Sequence, residues 1–247
     1  MQGFLTDLYH STVKNLSNLT FNKSSEVHRT LVSLYATIIE LTNSTLLLRQ
    51  NGAFTGVDIL LRSALEAHVD LINLANNDVY LKAMNASYDK EWLKLMKEAA
   101  TGENEFLASL KNDPELGKQI ELHQAALDEF QKTSKIPHIA EKFSSAGMQK
   151  EYQSVYNSLC TDSHNNIRAL VHRHFRISNG KIDLTIFQEP SKTDLAASLD
   201  SFIAILNKSN EIMHDYFNSP DEVKQELDYY KRYREEKGLS WLGDLDA

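Results

Sequence analysis

The chain is 247 residues long, 42% hydrophobic and 24% charged, the proportions of a folded globular protein and not of a disordered one. With 34 acidic side chains against 26 basic ones the net charge is −8, which argues against non-specific nucleic-acid binding by the whole surface but leaves room for a local basic patch. Nine glycines and four prolines favour long helices, and the single cysteine, Cys160, excludes an internal disulfide and suits a reducing, cytoplasmic setting.

From the N-terminus, "MQGFLTDLYHSTVKN" lacks the basic-then-apolar order of a secretory signal, and no purely apolar run is long enough to span a bilayer, so no membrane partner is expected. Leu5, Leu8, Thr12, Leu16 and Leu19 fall at helical spacing and predict a helix over 3–20. Ser24 or Ser25 caps the next, which carries Val27, Leu31, Leu34, Ile38 and Leu41 and stops near Gly52. Thr55-Gly-Val-Asp58 has the form of a capping box and opens "DILLRSALEAHVDLINLAN". This is the most regular apolar pattern in the chain. Leu60, Leu61, Ala64, Leu65, Ala67, Leu71, Ile72, Leu74 and Ala75 fill roughly half the circumference, which marks a central helix. Asp58, Arg62, Glu66, Asp70 and Asn73 fall opposite, and His68 lies within the apolar arc as a core histidine.

After Asn76-Asn77-Asp78, residues 78–100 predict a helix with Trp92, Leu95 and Met96 in the core. Asp113-Pro114-Glu115 opens a charged helix to about 133, and Ile136-Pro137 a short one that stops at Gly147. Residues 148–162 predict a second key helix, with Tyr152, Val155, Tyr156 and Leu159 on one stripe. A shorter helix runs from about Ser163 to Phe175. Asn179-Gly180, between two short alternating runs, predicts a β-hairpin at 174–178 and 181–187. Thr193 or Asp194 caps a helix bearing Leu195, Leu199, Phe202, Leu206 and Met213, and Ser219-Pro220 opens a last, highly charged one. The tail "LSWLGDLDA" leaves Trp241, Leu242 and Leu245 in need of cover, and with Tyr229 and Tyr230 they point to a homodimer through the C-terminal region. No repeat or linker interrupts the chain. The expected architecture is a single all-α domain over 1–247, a multi-helix bundle with one small β-hairpin near 174–187 and a charged helix and apolar tail at 220–247.

"LLRSALEAHVDLINL" followed by "IAEKFSSAGMQKEYQSVYNSLCTDSHNN" resembles a family of bacterial helical proteins classified only as a domain of unknown function. The shared pattern is Leu-Leu-Arg-x-x-x-Glu on one helix, then Tyr-x-x-x-Tyr-x-x-Leu-Ser-x-x-x-His, carried here by Arg62, Glu66, Tyr152, Tyr156, Leu159 and His164. Cys160 stands where the family shows Ser, and Asn165 where Pro often follows the His. The resemblance implies an all-helical fold and carries no reaction with it.

Two constellations could do chemistry. Arg62 and Glu66, four apart on one helix, can form an ion pair, either as an exposed pair of small energetic value or as a rigid anion-binding point in a cleft. Residues 163–182 contain no Asp or Glu but hold His164, His172, His174, Arg168, Arg173, Arg176 and Lys181. This stretch is either a solvated basic face or a phosphate-binding surface. In one continuous helix His164, Arg168 and His172 would stack in a row. Arg168 and His174 also resemble the loose Arg-x(4–6)-His motif of HEPN-type ribonucleases, helical proteins that often serve as toxins or phage-defence effectors, although Ala169 stands where that motif usually has Asn. On one helix the two would point about 120° apart. Glu211-Ile-Met-His214 has no second Glu-x-x-His to complete a di-iron site, so neither a metal nor a cofactor is expected.

The expected function is that of an intracellular defence or toxin-type protein acting on RNA or a nucleotide, with Glu66, His164, Arg168 and His174 as catalytic candidates and Arg62, His172, Arg173 and Tyr156 as substrate-binding ones. A metal-independent ribonuclease is the enzyme form of that expectation. A non-catalytic helical interaction module, docking through the charged last helix and the tail, is the alternative.

Overall fold

A computed structural model describes residues 1–163, 166–178 and 180–237. In chain order the helices are α1 (Gln2–Asn15), α2 (Glu26–Gln50), α3 (Val57–Asn76), α4 (Tyr80–Thr101), α5 (Ala108–Lys111), α6 (Leu116–Gln131) and α7 (Ile139–Ser145). Then come α8 (Gln149–Glu151), a π-helical turn (Tyr152–Tyr156), α9 (Asn157–Ser163) and α10 (Ile167–His174). A hairpin of β1 (Phe175–Ser178) and β2 (Lys181–Leu184) leads to α11 (Lys192–Tyr216) and α12 (Asp221–Lys237). The fold is all-α with one small antiparallel hairpin.

Contacts divide the chain into two compact units, Met1–Ala75 with Phe143–Ala247, and Asn76–Lys142. The boundary falls at the Asn76-Asn77-Asp78 break, where the composition shows no linker. In the larger unit, α11 packs against α1, α2 and α12. A buried polar chain pins three of these helices: the Tyr35 hydroxyl donates to Asn210 Oδ1 at 2.6 Å, and Asn210 Nδ2 donates to Thr12 Oγ1 at 2.9 Å. Each of these buried groups finds a partner, as burial demands. Ser25 caps α2 by accepting from the His28 N–H. By length and composition α2 is apolar enough to cross a membrane, a property that the short unbroken apolar runs of the sequence do not reveal. Here it buries Leu31, Tyr35 and Ile38 inside the unit.

Half of α3 is buried, including Leu61, Leu65, Leu71 and Leu74. Its dry arc is shifted from the one expected. Asn73, placed on the polar side by periodicity, is 5% exposed, whereas Leu60, Ile72 and Ala75 are half-buried. The helix touches partners on more than one side. His68 Nδ1 lies 2.8 Å from Ser209 Oγ of α11, and the Ser198 hydroxyl of α11 donates to Asp58 Oδ1 at 3.5 Å. α12 is held by Lys14–Glu226, Lys231–Glu211 and Arg234–Asp200 ion pairs, and Tyr230 and Tyr233 pack on Phe4 of α1. Tyr229 stays exposed. Trp241, Leu242 and Leu245 lie outside the described residues.

The smaller unit closes on Ala86, Leu93, Met96, Ala99, Leu116 and Leu127, with Trp92 packed against them. Leu95, expected in the core, is 42% exposed, because the stripe that pairs with Met96 runs through Leu93. His123 Nδ1 and Asp89 Oδ1 meet at 2.7 Å across α4 and α6.

In the hairpin, Phe175 faces Leu184 and Ser178 faces Lys181, which leaves a two-residue turn. Gly180 holds φ +74°, the left-handed conformation that such a turn requires. The second strand ends at Leu184, short of 187. Ser191, not Thr193 or Asp194, caps α11, accepting from the Asp194 N–H at 3.1 Å while its hydroxyl donates to the Asp194 carboxylate at 2.7 Å. A helix beginning at Lys192 places its cap one residue earlier.

Candidate functional site

The first cluster stands on α3 and the π turn. Arg62 Nε donates to Glu66 Oε1 at 3.1 Å, one helical turn away. The Tyr156 hydroxyl donates to the same oxygen at 2.7 Å, and Arg62 Nη2 donates to the Tyr156 oxygen at 3.4 Å. The guanidinium lies over the Tyr156 ring, 5.5 Å from its centroid. The π turn spanning Tyr152–Tyr156 inserts one residue into the helical spiral, and such insertions re-aim the side chains that follow. Tyr156 is wedged against Phe143 and stacked with Tyr152, which fixes its ring. The Arg62 and Glu66 side chains are 25% and 39% exposed, so the cluster is neither sealed in the core nor freely solvated.

Burial, then the hydrogen bond to Glu66, pushes the Tyr156 hydroxyl well above its ordinary range. Arg62 is shifted upward: its burial works the other way, but the hydrogen bond to Tyr156 and the electrostatic pull of its neighbours outweigh it. The cluster therefore holds a protonated tyrosine and a guanidinium around one Glu66 oxygen.

The second cluster is a groove of about 770 Å³ between α3, α9, α10, the hairpin and the start of α11. His172, Arg173 and Arg176 line it together with Asp58, Glu189 and Asp194. Asn166 caps α10 by accepting from the Arg168 N–H at 2.9 Å, which starts the helix at Ile167. Asn166, at φ −56° and ψ 137°, lies outside the helical region, so α10 does not continue α9 as one helix. Arg168 and His172 project from α10 as exposed side chains. Neither Arg168 nor His174 lines the groove, so the Arg-x(4–6)-His pair does not converge on it. His164 lies outside the described residues.

Of the sequence candidates, Arg62, Glu66 and Tyr156 thus come together, and His172 with Arg173 lines the groove. Arg176 joins the groove and was visible only as one member of the acid-free run. His68 is a core histidine, 3% exposed and bonded to Ser209, with burial pushing its pKa down to about 4. Glu211 and His214 are occupied with other partners: Glu211 binds Lys208 and Lys231, and His214 binds Ser219. Among the described residues no three His, Cys, Asp or Glu side chains gather as a metal site.

The fold places the chain among all-α proteins. The chain belongs to the family of unknown function DUF5677, whose model matches residues 28–182. Both the Arg62–Glu66–Tyr156 cluster and the basic side chains of the groove fall within the match, and α11 and α12 lie beyond it. No curated protein and no solved structure matches the chain.

Proposed function

We propose that the protein binds RNA or a nucleotide in the groove beside α10, and that the Arg62–Glu66–Tyr156 lock fixes the helix that frames it. The observation that carries this reading is that His172, Arg173 and Arg176 all line a single groove. Guanidinium groups suit phosphate oxygens, and the carboxylates of Asp58, Glu189 and Asp194 suit ribose hydroxyls. The ribose 2′-hydroxyl would attack the adjacent phosphorus with its proton taken by His172, and the 5′-oxygen would leave with a proton taken from water. The products are a 2′,3′-cyclic phosphate and a 5′-hydroxyl end, with Arg173 and Arg176 neutralising the charge that builds on the phosphoryl oxygens. No metal enters this step. The setting that goes with it, expected from the HEPN-type resemblance, is a toxin or defence effector, with His172 replacing His164 and His174 in the acid–base role.

Fluorescence anisotropy with a labelled single-stranded RNA tests the binding. Arg173→Ala with Arg176→Ala should weaken it by roughly tenfold or more and lower its salt dependence. Cleavage should survive EDTA and vanish in His172→Ala. A folded wild-type chain that neither binds nor cleaves RNA ends this reading. The non-catalytic interaction module then takes its place, favoured by the apolar row of Ile182, Leu184 and Ile186, each about two-thirds exposed on or just after the hairpin.

A further inference from the structure

β1 and β2 form a sheet of two strands, and among the described residues no further strand lies beside β2. All four residues of β2 are exposed. A ribbon of two strands is marginal by itself, and an open edge with apolar side chains is a template for pairing with another strand. Along Lys181-Ile-Asp-Leu184 the side chains alternate between the two faces of the sheet. Ile182 and Leu184, 68% and 71% exposed, share one face with Phe175, which stands opposite Leu184. Lys181 and Asp183 take the other face, with Arg176 opposite Asp183.

The backbone of β2 turns particular groups toward that open edge. The Thr185 N–H donates to the His174 carbonyl at 2.8 Å, so 174 and 185 are a hydrogen-bonded pair. Antiparallel strands alternate bonded and non-bonded pairs. Given the register, Arg176–Asp183 and Ser178–Lys181 are the bonded pairs that follow, and Phe175–Leu184 and Ile177–Ile182 the non-bonded ones. The N–H and C=O of Ile182 and Leu184 therefore point away from β1.

We propose that β2 pairs antiparallel with β2 of a second copy of this chain, about a two-fold axis at Ile182, to give a four-stranded sheet in the order β1-β2-β2-β1. That axis sets Ile182 opposite itself, with the N–H of each copy donating to the C=O of the other, and a two-fold interface must be self-complementary in this way. The same register sets Lys181 opposite the partner's Asp183 and Asp183 opposite the partner's Lys181. These are two cross-strand pairs of opposite charge on the polar face. The apolar faces of the two hairpins then join on the other side. An axis at Asp183 would bring like charges together and meet backbone groups already bonded to β1. An axis at Leu184 would leave Lys181 without Asp183. The charge pattern and the backbone pattern thus select one register, and neither rests on the groove reading.

Sedimentation velocity of the full chain, from low to high micromolar concentration, tests the association. The mass should climb from monomer toward dimer. Lys181→Asp and Asp183→Lys should each weaken the dimer by roughly tenfold, and the two changes together should restore it. Both positions are exposed, so the variants should melt with the wild type. Cross-linking tests the register. Under mild oxidation Ile182→Cys should give a disulfide-linked dimer, because a bonded pair holds its Cα atoms about 5.5 Å apart, within disulfide reach. Leu184→Cys should not, since its counterpart would lie four residues along the strand, about 13 Å away. The wild type, with Cys160 as its single cysteine, should stay uncross-linked. The proposal falls if the wild type sediments as a monomer throughout, or if position 184 cross-links as readily as 182. It also falls if the dimer is indifferent to the charge variants and is lost on deleting residues 238–247, which would seat the interface in the C-terminal region.

Discussion

Glu66 and His68 stand two residues apart on α3 and face opposite environments. Glu66 sits at the margin, still partly wetted, and gathers Arg62 and Tyr156 around one oxygen. His68 sits in the core, 3% exposed, with a single neutral partner in Ser209, and burial suppresses its charge. The same helix thus shows two ways to keep a titratable side chain, by partnering it or by suppressing its charge. The first leaves a polar group available at a surface, and the second spends it on packing.

The comparison breaks most easily in the core. Leu71 is fully buried on α3, and Leu71→Ala should cost about 2–5 kcal/mol in urea unfolding. A loss below 1 kcal/mol would mean that Leu71 is not packed as its burial indicates.

Acid sharpens the difference next. His68 titrates near 6.5 in the unfolded chain and at about 4 when folded. The unfolded chain therefore takes up the proton first. Stability present above pH 6.5 is lost as pH falls toward 4 and levels off below it, on the order of 2 kcal/mol by pH 5. His214, also lowered by burial, acts in the same direction. Unfolding midpoints measured from pH 7 to pH 5 should fall, and His68→Gln should flatten the slope. An unchanged slope in that variant would assign the acid limb elsewhere.

The partnered side of α3 should yield less. Tyr156→Phe keeps the ring against Phe143 and removes only the hydroxyl between Glu66 and Arg62. The expected loss is about 1 kcal/mol, because the carboxylate is partly wetted and still has Arg62. A double-mutant cycle with Glu66→Gln should show coupling between the two positions. Additive effects would mean that the two groups merely lie close together.

How far the sequence could foresee this follows from the same contrast. Arg62 and Glu66 were legible as a pair because a helical repeat places them one turn apart, and Tyr156 was legible as one of the stripe Tyr152, Val155, Tyr156 and Leu159. The hairpin was legible because Asn179-Gly180 has few other conformations to choose. The π turn was not, since nothing in "YQSVY" distinguishes it from ordinary helix. Burial of Asn73 and exposure of Leu95 depend on neighbouring helices that no periodicity names. The unpaired Asn207 amide and His214 Nε2 were hidden for the same reason: α12 packs on α11, and it arrives from elsewhere in the chain.

The smallest effect concerns α10, where stability and binding should separate. Arg168 is exposed and Arg176 lies on the exposed hairpin, and no described ion pair ties either to the body of the fold. Surface changes of this kind stay within about 0.5 kcal/mol. Arg168→Ala and Arg176→Ala should therefore melt together with the wild type. They should differ in RNA binding: Arg176 lines the groove and Arg168 does not, so the Arg176 variant should lose more affinity and more of the salt slope. Equal losses would make the basic stretch a diffuse attractive face. A loss confined to Arg168 would move the phosphate contact from the groove to the outer side of α10.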